Sequence, residues 1–210
     1  MNSIVLIADI VASRQIKERD KIQRDLKNLL IKINKISGSM LSPMTITLGD
    51  EFQCVYSSAD EIFNHIWKIL VAVYPEKIRF SYGIGLISTR INKNQAIGMD
   101  GPAFYEARTG LNQLKERNYL FNISVSGNQS ENIYLIRNSL YLVSYHINNW
   151  KKNRIKIMGS LSDGMQIKTI AKNLNISEQA VYKNITSGGL DLINDLSKNI
   201  SGSFNDMIKN

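Results

Sequence analysis

The stretch Ser3–Asp9 is apolar almost throughout and stops abruptly at a carboxylate. A short continuous run of this kind is the pattern of a strand buried on both faces. Such a strand needs cover on each side, and the residues that follow carry helical spacing able to provide it. Ile22, Leu26, Leu29, Leu30, Ile33 and Ile36 fall on one stripe, which predicts a helix from about Lys17 to Ile36, ended by Ser37-Gly38-Ser39. Met44–Leu48 and Phe52–Tyr56 then read as two strands around Gly49-Asp50, a tight-hairpin signal.

A second helix, Ala59 to Val73, carries Ile62, Ile66, Ile69, Leu70 and Val73 inward, and Pro75 terminates it. Arg79–Ile87 alternates Phe80, Tyr82 and Ile84 with Ser81, Gly83 and Gly85, so it is a strand whose glycines admit a closely packed neighbour. A helix from Pro102 to Glu116 and a strand from Tyr119 to Val125 complete the series β-α-β-β-α-β-α-β. Its first six elements match the split βαβ, or ferredoxin-like, plan. The expected fold class is therefore α+β with an extra αβ unit, followed by an all-α part.

That second part is legible because strand signals cease. Ser126-Gly127-Asn128 reads as a boundary, and from Glu131 on only helical spacing remains. One helix, Glu131 to Trp150, turns Ile133, Ile136, Leu140, Val143 and Ile147 inward. The expected organisation is an α/β domain over 1–126, a connecting helix over 127–150 and a helix-turn-helix domain over 151–210.

Composition narrows the function. The chain has 210 residues, 43% of them hydrophobic, with only three prolines, which is a globular composition with room for a sizeable core. Its single cysteine, Cys54, excludes an internal disulfide, and Cys and His show no metal-ligand spacing. The N-terminus has no basic region before its apolar run, and no stretch reaches the ~18 apolar residues of a membrane span. A cytoplasmic protein with no membrane partner is expected. The net charge of +8 is uneven: residues 151–188 hold Lys151, Lys152, Arg154, Lys156, Lys168, Lys172 and Lys183 against Asp163 and Glu178 alone. A compact basic module points to a polyanion, the alternative being a plain solvated face.

The acidic residues point elsewhere. In a ferredoxin-like sheet the first and third strands lie side by side and antiparallel. Asp9 at the end of one and Asp50 at the start of the other then reach the same sheet edge. Two carboxylates plus a backbone carbonyl, that of Ile10, form an all-oxygen set suited to Mg²⁺ or Mn²⁺. Without a cation they would repel, and one would be driven toward its neutral form. Glu51 is either a third ligand or a solvent-facing side chain, and Arg79 reads as a strand-end charge. Ser13 and Arg14, at a helix entrance, can hold a phosphate.

These residues carry a resemblance. Ala8-Asp9-Ile10-Val11-Ala12-Ser13 resembles the Asp-Ile-Val-Gly-Ser-Thr motif of class III nucleotidyl cyclases. Leu48-Gly49-Asp50-Glu51-Phe52 is similar to their Gly-Asp hairpin and to the Gly-Gly-Asp-Glu-Phe signature of diguanylate cyclases, with Leu48 in place of the first glycine. Arg79-Phe80-Ser81-Tyr82-Gly83-Ile84-Gly85 resembles the cyclase strand Arg-x-Gly-Ile-x-x-Gly. Asp100 to Arg108 falls where cyclases have Gly-x-x-Val-Asn-x-Ala-x-Arg. The resemblance implies a metal role for Asp9 and Asp50, a catalytic role for Arg108 in steadying phosphate charge, a nucleotide ligand and a homodimer. The asparagine of the cyclase motif is Phe104 here. Losing one such donor costs on the order of 10²–10³ in rate in oxyanion-type sites, which favours holding a nucleotide over cyclising it. The chain as a whole resembles the SatD family of bacterial proteins, which is associated with acid tolerance and protein secretion.

Gln166–Asn173 and Ser177–Ile185 form two short helices around Leu174-Asn175-Ile176. Ala171 is small where they would cross, and Asn175 sits where a left-handed backbone is needed, which Asn tolerates. Val181 packs back on Ala171, and Ser177 caps the second helix. Ile167, Ile170, Leu174, Ile176 and Ile185 complete the core. This spacing resembles bacterial DNA-binding regulators. Glu178, Gln179, Tyr182 and Lys183 would then face the major groove of double-stranded DNA, while Lys168 and Lys172 reach phosphates. A helical hairpin used only for packing is the alternative. Three functions follow: a nucleotide-responsive DNA-binding regulator, a Mg- or Mn-dependent nucleotidyl cyclase or related phosphoryl-transfer enzyme, and an inert dimerising scaffold.

Overall fold

The computed structural model describes residues 2–127 and 131–209, so Asn128 of the expected boundary lies outside the described residues. Among the described residues are five strands and eight α-helices, a mixed α+β architecture. β1 (Ser3–Ile10) is buried at every position because it is the middle strand of the sheet. With β2 (Met40–Ile46), β3 (Glu51–Tyr56), β4 (Ile78–Gly85) and β5 (Phe121–Val125), the order is β2-β3-β1-β4-β5. β1 is antiparallel to both neighbours, β2 is antiparallel to β3, and β5 is parallel to β4.

The pleat sorts the strand side chains between two layers. Ile4, Leu6 and Ala8 join Phe52, Cys54, Phe80 and Tyr82 in the larger core. That core also takes side chains from α1 (Arg19–Ile36), α2 (Ile62–Val73) and α4 (Glu131–Asn148). Val5, Ile7 and Val55 face the other way, beneath Ala103, Phe104, Ala107 and Leu111 of α3 (Pro102–Lys115). The backbone of α3 lies directly on β4: a Cβ at Gly83 would collide with the Ala103 carbonyl oxygen and the Ala107 amide. This close approach is what the glycines of the β4 sequence predict.

The hairpin differs from expectation. β2 begins at Met40 and ends at Ile46, leaving residues 47–50 as the turn and Leu48 71% exposed. β2 pairs with β3 alone, so Pro43 needs no donor on its outer side, and the register shifts around Ser42 and Thr45 absorb it. Ile36, on the expected inward stripe of α1, is the last helical residue and is exposed.

Beyond α4 come α5 (Lys152–Ser162), α6 (Ile167–Leu174), α7 (Glu178–Gly188) and α8 (Leu190–Lys209). Asn175, between α6 and α7, is left-handed at φ 52° and ψ 48°. The Ser177 hydroxyl accepts from the Ala180 amide at 3.1 Å. α7 runs past Ile185 and stops at left-handed Gly189. Ile155, Met158, Ile170, Val181 and Phe204 belong to the same apolar cluster as the sheet, and the Phe204 ring meets the Tyr82 ring edge-on at 5.4 Å. No helix among the described residues is long and apolar enough to cross a membrane.

Candidate functional site

The antiparallel register of β3, β1 and β4 sets Glu51, Asp9 and Arg79 in one row across three strands. Register partners point to the same face. For this row it is the α3 face, since Asp9 alternates with Ile7 and Val5. α3 lays two more cations on the row, Arg108 and Lys115, seven residues apart on one helical stripe. Five charged groups thus meet at one edge of the sheet.

Their pairing is specific. Both oxygens of Asp9 lie near Arg79 Nη1, at 3.2 and 3.5 Å, and Lys115 Nζ is 3.4 Å from Oδ2. Arg108 grips both oxygens of Glu51, donating from Nη2 to Oε1 at 2.8 Å, and the Thr47 hydroxyl donates to Oε1 at 3.0 Å. Asp9 and Glu51 are 7% and 6% exposed, whereas the Arg108 and Lys115 side chains are 43% and 45% exposed. The carboxylates form the floor and the cations the accessible rim.

The two carboxyls respond to this environment in opposite ways. Burial raises the Asp9 pKa, and the attraction of Arg79 and Lys115 offsets only part of that rise. Burial also acts to raise Glu51, but the Arg108 fork, helped by Thr47 and Lys115, outweighs it and holds this carboxyl below its usual value. Arg108 is itself raised, first by its hydrogen bonds to Glu51.

Asp50 stands apart from this row. It lies in the turn, accepts a short hydrogen bond from the buried Ser13 hydroxyl, and its carbonyl oxygen accepts from the Ile10 amide at 3.0 Å. Ser13 therefore ties the loop after β1 to the hairpin. Arg14 is exposed, with no carboxylate partner among the described residues. The carboxylate that the register sets directly opposite Asp9 is Glu51, which does not face solvent. Arg79 is part of the site and more than a strand-end charge.

As the residues are paired here, Mg²⁺ or Mn²⁺ would have to displace protein partners from the carboxylates. A hard divalent ion needs several free oxygens, yet Asp9 and Glu51 have theirs on protein cations and Asp50 is turned to Ser13. No three His, Cys, Asp or Glu side chains gather at one point among the described residues. Phe104, 7% exposed, fills the small core under α3 rather than facing the row. Sequence reasoning missed Lys115, Thr47 and the role of Arg79. Arg79 was recoverable from the expected strand order, and Lys115 from its seven-residue spacing to Arg108.

A sequence model of the SatD family matches residues 3–199, nearly the whole chain. The chain belongs to the SatD family. A search of curated proteins finds no match. Two solved structures of a bacterial light-regulated adenylyl cyclase resemble this SatD family member weakly. They are 13% and 14% identical, with TM-scores of 0.45 and 0.42, over 59% and 62% of this chain and 43% and 46% of theirs. The chain spans less than half the length of those proteins, and likeness at this level decides nothing about activity.

On α6 and α7, Ala171 and Val181 are buried, at 5% and 0% exposure. Lys168, Lys172, Glu178, Gln179, Tyr182 and Lys183 are all exposed. The six side chains selected from sequence thus lie on open surface around one turn.

Proposed function

We propose that this SatD family protein is a regulator: its ferredoxin-like α/β part holds a phosphate-bearing ligand, a nucleotide, at the sheet edge, and α6–α7 form a DNA-binding helix-turn-helix. The observation that carries the reading is the α6–α7 turn. Left-handed Asn175, capping Ser177 and buried Ala171 and Val181 fix the two helices, while all six candidate contact side chains stay exposed. In such modules the second helix enters the major groove by its N-terminal part. Gln179 then suits adenine and Lys183 guanine, with Lys168 and Lys172 on the phosphates. Two-fold pairing on DNA half-sites favours a homodimer.

The ligand half is supported by charge. Arg79, Arg108 and Lys115 outnumber Asp9 and Glu51, and the two half-exposed cations form the rim. A phosphate placed there meets the Lys115 ammonium and the N–H groups of Arg108 that its fork on Glu51 leaves outward. A gel shift on promoter fragments tests the DNA half. Six phosphate contacts imply a fall in affinity on the order of 10³-fold between 50 and 200 mM salt. No shift on any duplex at low salt removes this reading.

A second reading, a metal-dependent nucleotidyl cyclase or related phosphoryl-transfer enzyme, is favoured by the side-by-side carboxyls of Asp9 and Glu51. It requires Mg²⁺- or Mn²⁺-dependent turnover of a nucleoside triphosphate that vanishes in Asp9→Asn and Asp50→Asn. Binding without product leaves the regulator.

A further inference from the structure

A cleft of about 710 Å³ opens between the start of β4, the loop from α3 to β5 and the last turn of α4. It shares no residue with the Asp9–Glu51–Arg108 row. Its lining falls into three kinds of side chain: the cations Lys77 and Arg117, the rings of Tyr119 and Tyr145, and the amides of Asn118, Asn148 and Asn149. No Asp or Glu lines it, and neither Lys77 nor Arg117 has a carboxylate partner among the described residues. Unneutralised cations without a competing acid favour an anion.

The rings add a second requirement. Tyr119 is stacked on Tyr141 at 4.2 Å and 10°, so its position is fixed from behind. Tyr145 is 64% exposed, a large ring face left to solvent at the cleft. Aromatic faces of this kind stack on bases, each worth about 1–3 kcal/mol. Asn148 and Asn149 already donate to the carbonyls of Asn118 and Tyr145, at 3.0 and 2.9 Å, which leaves the Asn149 Oδ1 acceptor and the Asn118 amide to complement a base or ribose edge. The volume lies in the range of roughly 300–1,000 Å³ usual for small-ligand sites.

We infer that this cleft is a binding site for a nucleoside monophosphate, with the phosphate between Lys77 and Arg117 and the base against Tyr145. A phosphate monoester carries a charge of about −1.5 to −2 near neutral pH. Two cations match it without a divalent ion. The inference rests on the cleft alone and stands apart from the ligand proposed at the α3 rim.

Isothermal titration of the full chain with the four ribonucleoside monophosphates and with inorganic phosphate, all in EDTA, tests it. Arg117 and Tyr145 are exposed, so their alanine variants keep the wild-type melting temperature. The expected result is saturable binding of at least one monophosphate below about 1 mM. Arg117→Ala weakens it about tenfold. Tyr145→Ala weakens the nucleotide about tenfold while leaving inorganic phosphate unchanged. Three results each overturn it: no saturable binding, binding untouched in both variants, or inorganic phosphate bound as tightly as the nucleotide. Binding untouched in both variants would leave the α3 rim as the nucleotide's place, so the two ideas fail separately.

Discussion

Asp9 and Glu51 face each other across adjacent strands, both almost fully buried, and yet they sit on opposite sides of their ordinary titration range. The difference is the partner: Glu51 has a two-point guanidinium fork, while Asp9 shares one Arg79 nitrogen and a half-exposed lysine. Glu51, depressed in the fold, contributes stability above its unfolded pKa that is lost as pH falls through its folded value. Asp9, raised in the fold, is relieved by protonation. Glu51→Gln should therefore lower the urea midpoint by about 1–3 kcal/mol equivalent, and Asp9→Asn should leave it unchanged or raise it. Equal losses in the two variants would contradict this account of the row.

His65 gives a second pH signature. Burial drives its pKa down from 6.5 to about 4, and its Nδ1 is 3.0 Å from the Tyr56 hydroxyl. The unfolded chain takes up the proton first, so stability falls as pH drops from 6.5 to about 4. A shift of that size corresponds to roughly 3 kcal/mol. His65→Gln should flatten the pH dependence of the urea midpoint over that window; an unchanged slope would place the acid sensitivity elsewhere. At this scale the sequence marked Asp9, Arg108 and Ser13 as site residues, because their types and neighbours carry motif information. That Arg79 and Lys115 hold Asp9 follows only once the motif residues are combined with the β1–β4 register and with the seat of α3 on the sheet.

At the scale of elements, two positions have no freedom. Gly83 lets α3 lie on β4, and an alanine there meets the helix backbone, which cannot move away as a side chain would. Gly83→Ala should cost about 3 kcal/mol by denaturation. Asn175 holds the left-handed turn between α6 and α7. Asn175→Gly should stay within about 0.5 kcal/mol of wild type, whereas Asn175→Val should lose about 1–2 kcal/mol. Similar losses in both Asn175 variants would mean that the side chain matters more than the backbone angle. The start of α7 was readable because it depends on local chemistry, the Ser177 cap; its end was not, since the helix runs past Ile185 to left-handed Gly189. Nor was the start of β2, since an edge strand with Pro43 and two register shifts loses the simple alternation that marks a strand.

Across the whole molecule, the sheet and the C-terminal helices share one apolar cluster, with Phe204 of α8 packed on Tyr82 of β4. Composition shifts sharply near residue 126, but that shift says nothing of whether the helices pack back on the sheet. Phe204→Ala should cost about 3–5 kcal/mol. The lowered transition should remain single whether followed by near-ultraviolet or far-ultraviolet circular dichroism. Separate melting of the helical part would contradict a shared core. The most direct test is fluorescence anisotropy of the full chain on labelled promoter duplexes at rising salt, beside Lys172→Ala and Lys183→Ala. The account predicts binding whose salt slope falls by about one unit for Lys172→Ala, a phosphate contact, and whose sequence preference relaxes for Lys183→Ala, a base contact. Absence of binding to every duplex at low salt, or identical behaviour of both variants and wild type, would contradict it.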